Sequence, residues 1–350
     1  MKYAAWWTLC ILLLALPFGV MADAKLPRYP PLSAEKMAGL TRATVTMTGD
    51  CVLGGEEKTR RNESSFDNVI AQKGMAWPFS AFEQLFAQDD ITFVNLEGVL
   101  KDNVKGRLTE KLHTFRGLAA YTEILRLGSV EQVNIANNHY IDYGKAGRES
   151  TLEALTQAGI AFSGYQELHT AVVNGKKIGF GGIRETVYRQ KRNIMAGDIQ
   201  ALEDMGCDII IYACHFGKEY ARTHNALQEK MAREAIDLGA DLVVGHHPHV
   251  VQGIEYYNGG VILYSLGNFV FGGNLKLTEF DACIVQAVFL WEGEKYLGVQ
   301  LQLVPVLTTG ISPGNDFRPI PVQGEDKKRI LKKIQDDSDL VVMESMLFSR

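Results

Sequence analysis

The sequence predicts an α/β fold with a second sheet packed on the first, and three observations point to it. Short apolar runs alternate with amphipathic helical segments through the first two thirds of the chain, the pattern of an α/β sheet. The last third turns strand-rich, with long alternating runs over residues 282–290 and 296–303. Carboxylate, amide and imidazole side chains recur just past strand-like runs, where such sheets gather their ligands.

Taken in order, residues 25–41 read as an extended lead-in, because Pro27, Pro30 and Pro31 block regular structure. Residues 43–47 alternate as a first strand that ends at Thr48-Gly49-Asp50. A polar loop is expected over 56–65, then a helix over 80–88 with Phe82, Leu85 and Phe86 on one face. A buried strand at 91–94 leads into Asn95-Leu96-Glu97-Gly98, and 101–111 is a charged loop. Helix 121–127 precedes strand 132–135, which ends at Ala136-Asn137-Asn138-His139; helix 146–157 stops at Gly159. Residues 171–180 form a hairpin about Asn174-Gly175. Helix 199–205, strand 209–212 and helix 227–238 lead to the apolar run Asp241-Leu242-Val243-Val244. A second hairpin turns at Asn258-Gly259. Residues 311–323 are loop-like, with Pro313, Pro319 and Pro321. Residues 326–335 form a short basic amphipathic helix bearing Lys327, Lys328, Arg329, Lys332 and Lys333. It reads as a solvated face, with anionic lipid or polymer as its alternative contact. No repeat or linker divides the chain, so residues 42–323 are read as one domain, followed by a C-terminal helix and tail at 324–350.

The composition is that of a globular protein with a proper core: 46% of the 350 residues are hydrophobic. A formal net charge of −5 argues against a nucleic-acid partner. Lys2, an apolar run over 4–20 and Ala22-Asp23-Ala24 make residues 1–24 an expected signal peptide, so that the protein is exported to the periplasm or cell envelope. The alternative is an N-terminal anchor, because the apolar run approaches the length of a membrane span. Four cysteines follow this segment. Cys207 and Cys214 flank a predicted strand about 23 Å long, too far for a disulfide. Cys51 and Cys214 adjoin candidate ligands, and small buried filler is their expected role.

The chemistry centres on Gly245-His246-His247-Pro248-His249-Val250, with three imidazoles just past a strand. Histidine is the commonest metal ligand near neutral pH. In an extended segment His247 and His249 would project to the same side. Asp50, Glu97, Asn138 and His215 occupy equivalent places after four other strands. Singly, Asp50 could cap a turn, Glu97 be solvated and Asn138 make an Asx-turn; together they form a mixed oxygen and nitrogen donor set. That set suits zinc, manganese or iron and offers enough ligands for two metals, which clamp the oxygens of a phosphoryl transfer.

Six segments in this order carry a resemblance. They are Thr48-Gly49-Asp50, Asn95-Leu96-Glu97, Asn137-Asn138-His139 with Asp142-Tyr143-Gly144, His215-x-Gly217-x-Glu219-Tyr220, Gly245-His246-His247-Pro248-His249-Val250 and Ser265-Leu266-Gly267-Asn268-Phe269. Over residues 43–271 the chain resembles the CapA-type poly-γ-glutamate capsule biosynthesis family, a branch of the calcineurin-like metallophosphoesterase superfamily. The resemblance implies a four-layer metallophosphoesterase-like sandwich, two mixed β-sheets flanked by helices. It implies a centre for two divalent metals held by Asp50, Glu97, Asn138, His215, His247 and His249, with Glu97 bridging and His139 as the acid that protonates the leaving group. Where the superfamily has a histidine two residues after the first aspartate, this chain has Val52, so one metal is expected to bind weakly. His246 makes the register of the histidine pair ambiguous. Arg116, Lys218, Glu219 and Asn268, together with His246, are candidates for holding an anionic substrate or orienting ligands; surface salt bridges are the ordinary alternative for Arg116 and Lys218.

The function expected from this resemblance is an exported metallohydrolase-fold protein of poly-γ-glutamate-type capsule biosynthesis, export, anchoring or trimming. Its partners would be the acidic polymer or a phosphate-ester substrate, and membrane-bound capsule-synthesis proteins. Two alternatives remain: a periplasmic phosphoesterase with another substrate, and a non-enzymatic binder of acidic polymer.

Overall fold

A computed structural model describes residues 39–349; the expected signal peptide and nearly all of the lead-in lie outside them. The strands in chain order are β1 (Thr41–Val52), β2 (Ile91–Leu96), β3 (Val99–Leu100), β4 (Arg116–Gly117), β5 (Gln132–Asn134), β6 (Ala161–Ser163), β7 (His169–Val173), β8 (Lys176–Arg184), β9 (Ile209–His215), β10 (Leu242–His246), β11 (Ile254–Tyr257), β12 (Gly260–Leu263), β13 (Asn268–Phe271), β14 (Asp281–Glu292), β15 (Lys295–Leu307), β16 (Ile320–Pro321) and β17 (Ser345–Ser349). They form two large mixed sheets, apart from β3 and β4, which pair with each other. The first runs β16-β15-β14-β1-β2-β5-β6, with β13 also beside β1 and β17 beside β15; the second runs β11-β12-β10-β9-β8-β7. In the second sheet the central strands are parallel and the two Asn-Gly hairpins supply antiparallel edges. Asn174 and Gly175 take φ of 50° and 81°, and Asn258 and Gly259 take 45° and 86°, the paired positive values a two-residue hairpin turn needs.

The layering follows from three apolar cores. Between the sheets, Val45, Met47 and Phe93 of the first meet Phe180, Ile211 and Val244 of the second. The outer face of the first sheet packs Val94 and Val133 against Ile70, Ile124, Leu125 and Leu155 of its helices. The outer face of the second packs Ile210 and Val243 against Ile199, Leu202, Met231 and Ala235. Helices, sheet, sheet and helices therefore make four layers.

β1 organises the first sheet, and every residue from Val45 to Val52 is buried. Its first half pairs antiparallel with β14; its end pairs in parallel with β2 on one side and β13 on the other, so Asp50 lies between Asn95 and Asn268. Gly49 permits this change of partner: a Cβ there would lie 2.1 Å from the Gly267 carbonyl oxygen, the same oxygen that accepts from the Asp50 N–H at 2.9 Å.

Local differences from the expected elements have identifiable causes. The helix expected over 80–88 is only Glu83–Phe86: a 3₁₀ turn at Trp77–Phe79 precedes it and Phe82, at φ −122°, is non-helical. Its aromatic face is kept, with Phe79, Phe82 and Phe86 around Phe269 at 5.6–6.0 Å. The polar loop that ends at Ser65 is followed by an unforeseen helix, Phe66–Lys73, whose first turn is capped by Ser65 Oγ accepting from the Asn68 N–H. The basic helix spans Gly324–Asp336. It buries Ile330 and Ile334 in the inter-sheet core and pairs Arg329 and Lys333 with Asp281 at 2.7 and 2.8 Å. Cys51, Cys214 and Cys283 are buried and free, as small core residues.

Candidate metal centre

The first sheet delivers the oxygen donors. Asp50 near the end of β1 and Glu97 just past β2 are wholly buried. Behind them runs a chain of buried amides: Asn95 Nδ2 donates to Asp50 Oδ1 at 2.8 Å, Asn134 Nδ2 donates to Asn95 Oδ1 at 2.8 Å, and Asn137 Nδ2 donates to the Leu96 carbonyl at 2.8 Å. These bonds tie three strand ends into one register. Sequence reasoning assigned Asn95, Asn134 and Asn137 no role, although Asn95 and Asn137 lie inside the quoted motifs.

The second sheet delivers the imidazoles. His215 ends β9 and His246 ends β10. His247 and His249 follow the strand with φ of 98° and 57°, so they are not in the extended segment the sequence suggested; the turn, not the pleat, aims them. Gly245 allows the strand to end this way, since a Cβ there would lie 2.0 Å from the Tyr264 carbonyl oxygen. His215 Nε2 lies 2.8 Å from Asn138 Oδ1 and 3.8 Å from Glu97 Oε1. On the other side His249 Nε2 lies 4.0 Å from the same Glu97 oxygen, and its Nδ1 lies 3.0 Å from Asp50 Oδ2. Three sets of donors thus gather, each with its atoms within 4.8 Å of one another: Glu97, His215 and His247; Asp50, Glu97 and His249; Glu219, His247 and His249.

The donor atoms fit a metal. Among the described residues, both Glu97 carboxylate oxygens are buried without a hydrogen-bond partner, as are Nδ1 of His215 and of His247. A carboxylate so placed takes up either a proton or a cation. Burial, reinforced by the neighbouring Asp50, raises the Glu97 pKa well above the usual range. Burial pushes Asp50 up as well, but His246 and His249 outweigh it and hold Asp50 well below its ordinary value. Burial, with His247 beside it, depresses His215 strongly; burial and His249 depress His247. For His249 burial is outweighed by Glu97 and Asp50, and its pKa rises to about 9. Neutral imidazole is the ligating form, and an oxygen and nitrogen set suits a borderline divalent ion. Burial pushes the Cys51 thiol up to about 12, which removes it as a thiolate ligand.

His139 stands beside this cluster. Its Nδ1 lies 2.6 Å from Asp142 Oδ2, its Nε2 3.9 Å from Glu97 Oε1, and its ring stacks on Phe115 at 4.2 Å. Asp142 is itself held by the Phe115 N–H at 2.6 Å and by the Lys111 ammonium. Burial lowers the His139 pKa against the opposing pull of Asp142.

The remaining candidates divide. Asn268 Oδ1 lies 2.9 Å from His249 Nδ1 and orients that ring. Glu219 is exposed and belongs to the third donor set. His246 is fully buried and cannot touch a substrate; it lies behind Asp50, with Nδ1 3.4 Å from Oδ1. Arg116 is buried and engaged by Glu57 and the Lys101 carbonyl, both at 2.5 Å. A desolvated guanidinium needs such internal partners, so it braces the loops instead of holding substrate. Lys218 is exposed. Val52 packs against Phe115 and Phe271, an apolar wall on the Asp50 side.

The sequence profile described as Bacterial capsule synthesis protein PGA_cap matches residues 44–273. The chain belongs to this family. It is 27% identical over 323 residues to the capsule biosynthesis protein CapA of Bacillus anthracis, covering 85% of this chain and 74% of that one. It is 29% identical over 293 residues to the PGA biosynthesis protein CapA of Bacillus subtilis (strain 168), covering 78% and 75%. A probable polyglutamine synthesis accessory protein of Mycobacterium tuberculosis matches at 27% over 167 residues, 39% of this chain and 44% of its own. A crystal structure of a protein from Thermus thermophilus overlays 75% of this chain and 98% of its own with a TM-score of 0.40 and 11% identity. The family match contains every donor of the cluster, from Asp50 to His249.

Proposed function

We propose that the chain is an exported, metal-dependent hydrolase of the phosphoesterase type that serves poly-γ-glutamate-type capsule biosynthesis. One observation carries the reading: Glu97, buried and unpartnered, stands between Asp50 and His249 on one side and His215 and His247 on the other. Asp50, Glu97 and His249 would hold one divalent ion, manganese, zinc or iron; Glu97, Asn138, His215 and His247 would hold a second. Such ions polarise a phosphoryl or acyl oxygen and acidify water. The chain's own residues do the rest. Asn95 and Asn268 keep Asp50 and His249 aimed. The Asp142 carboxylate accepts from His139 Nδ1 and turns Nε2 toward the cluster, where a protonated ring would donate to a leaving oxygen. Phe115 and Phe271 keep that side apolar.

The names of the two Bacillus relatives, for capsule biosynthesis and PGA biosynthesis, support an acidic polymer and its synthesis machinery as partners. The segment of residues 1–24 supports export. Val52 favours a second reading, in which a metal site short of one ligand only binds the polymer. Metal analysis of protein purified without a metal-affinity tag, followed by hydrolysis assays with added manganese on phosphate esters and γ-glutamyl amides, tests the proposal. Bound divalent metal and metal-dependent turnover, both lost in Glu97→Gln, are expected. Metal without turnover on either substrate class would favour the binding reading, and protein that takes up no metal would refute the centre itself.

A further inference from the structure

The donor cluster is reached from two sides, and one of them carries an arginine. One cavity is lined by His113, His139, Glu219, Tyr220, His249 and Asn274, among others. The other is lined by Asn138, His215 and His247 together with Arg184, Glu185, Thr186, Phe216 and Gly217. Arg184 is the last residue of β8 and lies directly across the ladder from His215. It is half-buried. Its Nε donates to Thr186 Oγ1, and the Tyr165 hydroxyl also interacts with it. Among the described residues no carboxylate forms an ion pair with it. The adjacent Glu185 is already committed: one oxygen accepts from the Gly217 N–H at 2.9 Å and the other pairs with Arg189 at 2.9 Å. The other arginine near the centre, Arg116, has its own carboxylate in Glu57. A guanidinium presents a planar fork of N–H donors suited to a carboxylate or phosphate, and here it lines a cavity shared with three candidate metal ligands, Asn138, His215 and His247.

We infer that Arg184 is the specificity-determining residue of the site, receiving an oxyanion of the substrate on the His215 and His247 side. The inference rests on the proposed reading of the cluster as a metal centre with an anionic substrate. A γ-linked glutamyl chain carries a free carboxylate on every residue beside its backbone amide, and a phosphate ester carries non-bridging oxygens; both present the chemistry Arg184 recognises. The bond at issue lies at the metal ligands, and Arg184 fixes which neighbouring group can accompany it there.

The test is calorimetric binding to full-length, manganese-loaded protein, with metal content and melting temperature measured on each variant. The probes are a γ-linked glutamate pentamer, the same pentamer with its carboxylates amidated, and inorganic phosphate. Arg184→Gln should weaken the acidic pentamer at least about tenfold, the scale of one lost charge-assisted contact. Arg184→Lys should recover only part of this, because the charge returns without the fork. The amidated pentamer should bind weakly to all three proteins. If the loss falls on phosphate and spares the pentamer, the oxyanion is a phosphoryl group. Equal binding of both anionic probes by wild type and Arg184→Gln, at unchanged metal content and melting temperature, overturns the inference; so does a wild type that binds neither. The hydrolytic reading fails separately: protein that binds through Arg184 yet turns over no substrate sinks that reading and leaves this one standing.

Discussion

In the proposed function Glu97 and His139 have separate roles at the scale of single residues. Among the described residues no donor hydrogen-bonds to the Glu97 carboxylate, which leaves it to take up a proton or a cation. His139 has its Nδ1 engaged by Asp142 and its Nε2 directed at the centre, outside the three donor sets. Replacing His139 by Gln should leave metal content unchanged and lower turnover about 10²–10⁴-fold, the usual loss for a positioned general acid. The loss should be smaller on p-nitrophenyl phosphate, whose leaving group needs little protonation; metal loss in this variant would make His139 a ligand instead. Val52 packs with Phe115 and Phe271 beside Asp50, and on the proposed reading the Asp50 side is the poorer of two metal sites. Manganese titrated into stripped protein should therefore bind in two separable steps. Val52→His should tighten the weaker step while costing about 1–3 kcal/mol of metal-free stability, because an imidazole overfills a packed site. Two equal, tight steps in the wild type would refute this account of Val52.

At the scale of elements, the loop between β9 and helix Ala226–Asp237 carries Glu219 and Tyr220 to the site and is tied down at several points. The Tyr220 N–H donates to the Pro248 carbonyl at 2.8 Å, and Gln252 Nε2 donates to the Ala221 carbonyl at 2.8 Å. At the far end His224 stacks on Tyr264 at 3.8 Å with its Nδ1 3.0 Å from Asp337 Oδ1. Burial would lower the His224 pKa, but Asp337, helped by Glu255 and Glu229, raises it above the ordinary value. A raised folded-state pKa contributes stability that is fully present below about pH 6.5 and is lost as the pH climbs through the higher folded value. His224→Asn should therefore lower the melting temperature most below about pH 6.5, and the gap to wild type should close as the solution becomes alkaline. A gap independent of pH would mean that stacking on Tyr264, and not the ion pair with Asp337, is what His224 contributes.

For the whole molecule, the centre straddles two sheets: Asp50, Glu97 and Asn138 come from the first, and His215, His247 and His249 from the second. Whatever holds the sheets together also sets donor spacing. Phe93 of β2 and Phe180 of β8 stack across the interface at 5.7 Å. Phe93→Ala should cost about 3–5 kcal/mol, as large aromatic truncations in cores do, and should weaken metal binding although neither ring is near a ligand. Denaturant unfolding and manganese titration on the same sample check both effects. Conversely, a metal that joins the two sheets binds only the folded state. Chelation should lower the melting temperature, the lost stability being about 2.7 kcal/mol for an ion held at a hundred times its dissociation constant. An unchanged melting temperature after complete stripping would show that the sheets need no metal clasp.

Much of the site is legible in one dimension because an α/β chain repeats one event: an apolar strand ends, and the next polar residues face the same edge. Glu97 and Asn138 follow that rule; Asp50 and His215 lie within the last residues of strands that run further than their apolar stretches suggest, and the two Asn-Gly turns follow from local backbone preference alone. Tertiary structure decided the rest. Which members of the His246-His247-Pro248-His249 run reach the donors depends on where β10 stops, and it stops at His246 because pairing with β9 ends there. The buried amide chain through Asn95 and Asn134 exists only because β1, β2 and β5 lie side by side. Sequence also gives all arginines the same charge. Burial turned Arg116 inward to Glu57, while the place of β8 beside β9 left Arg184 facing the cavity. Local chemistry identifies a donor; only the partner brought from far along the chain determines whether that donor is already satisfied.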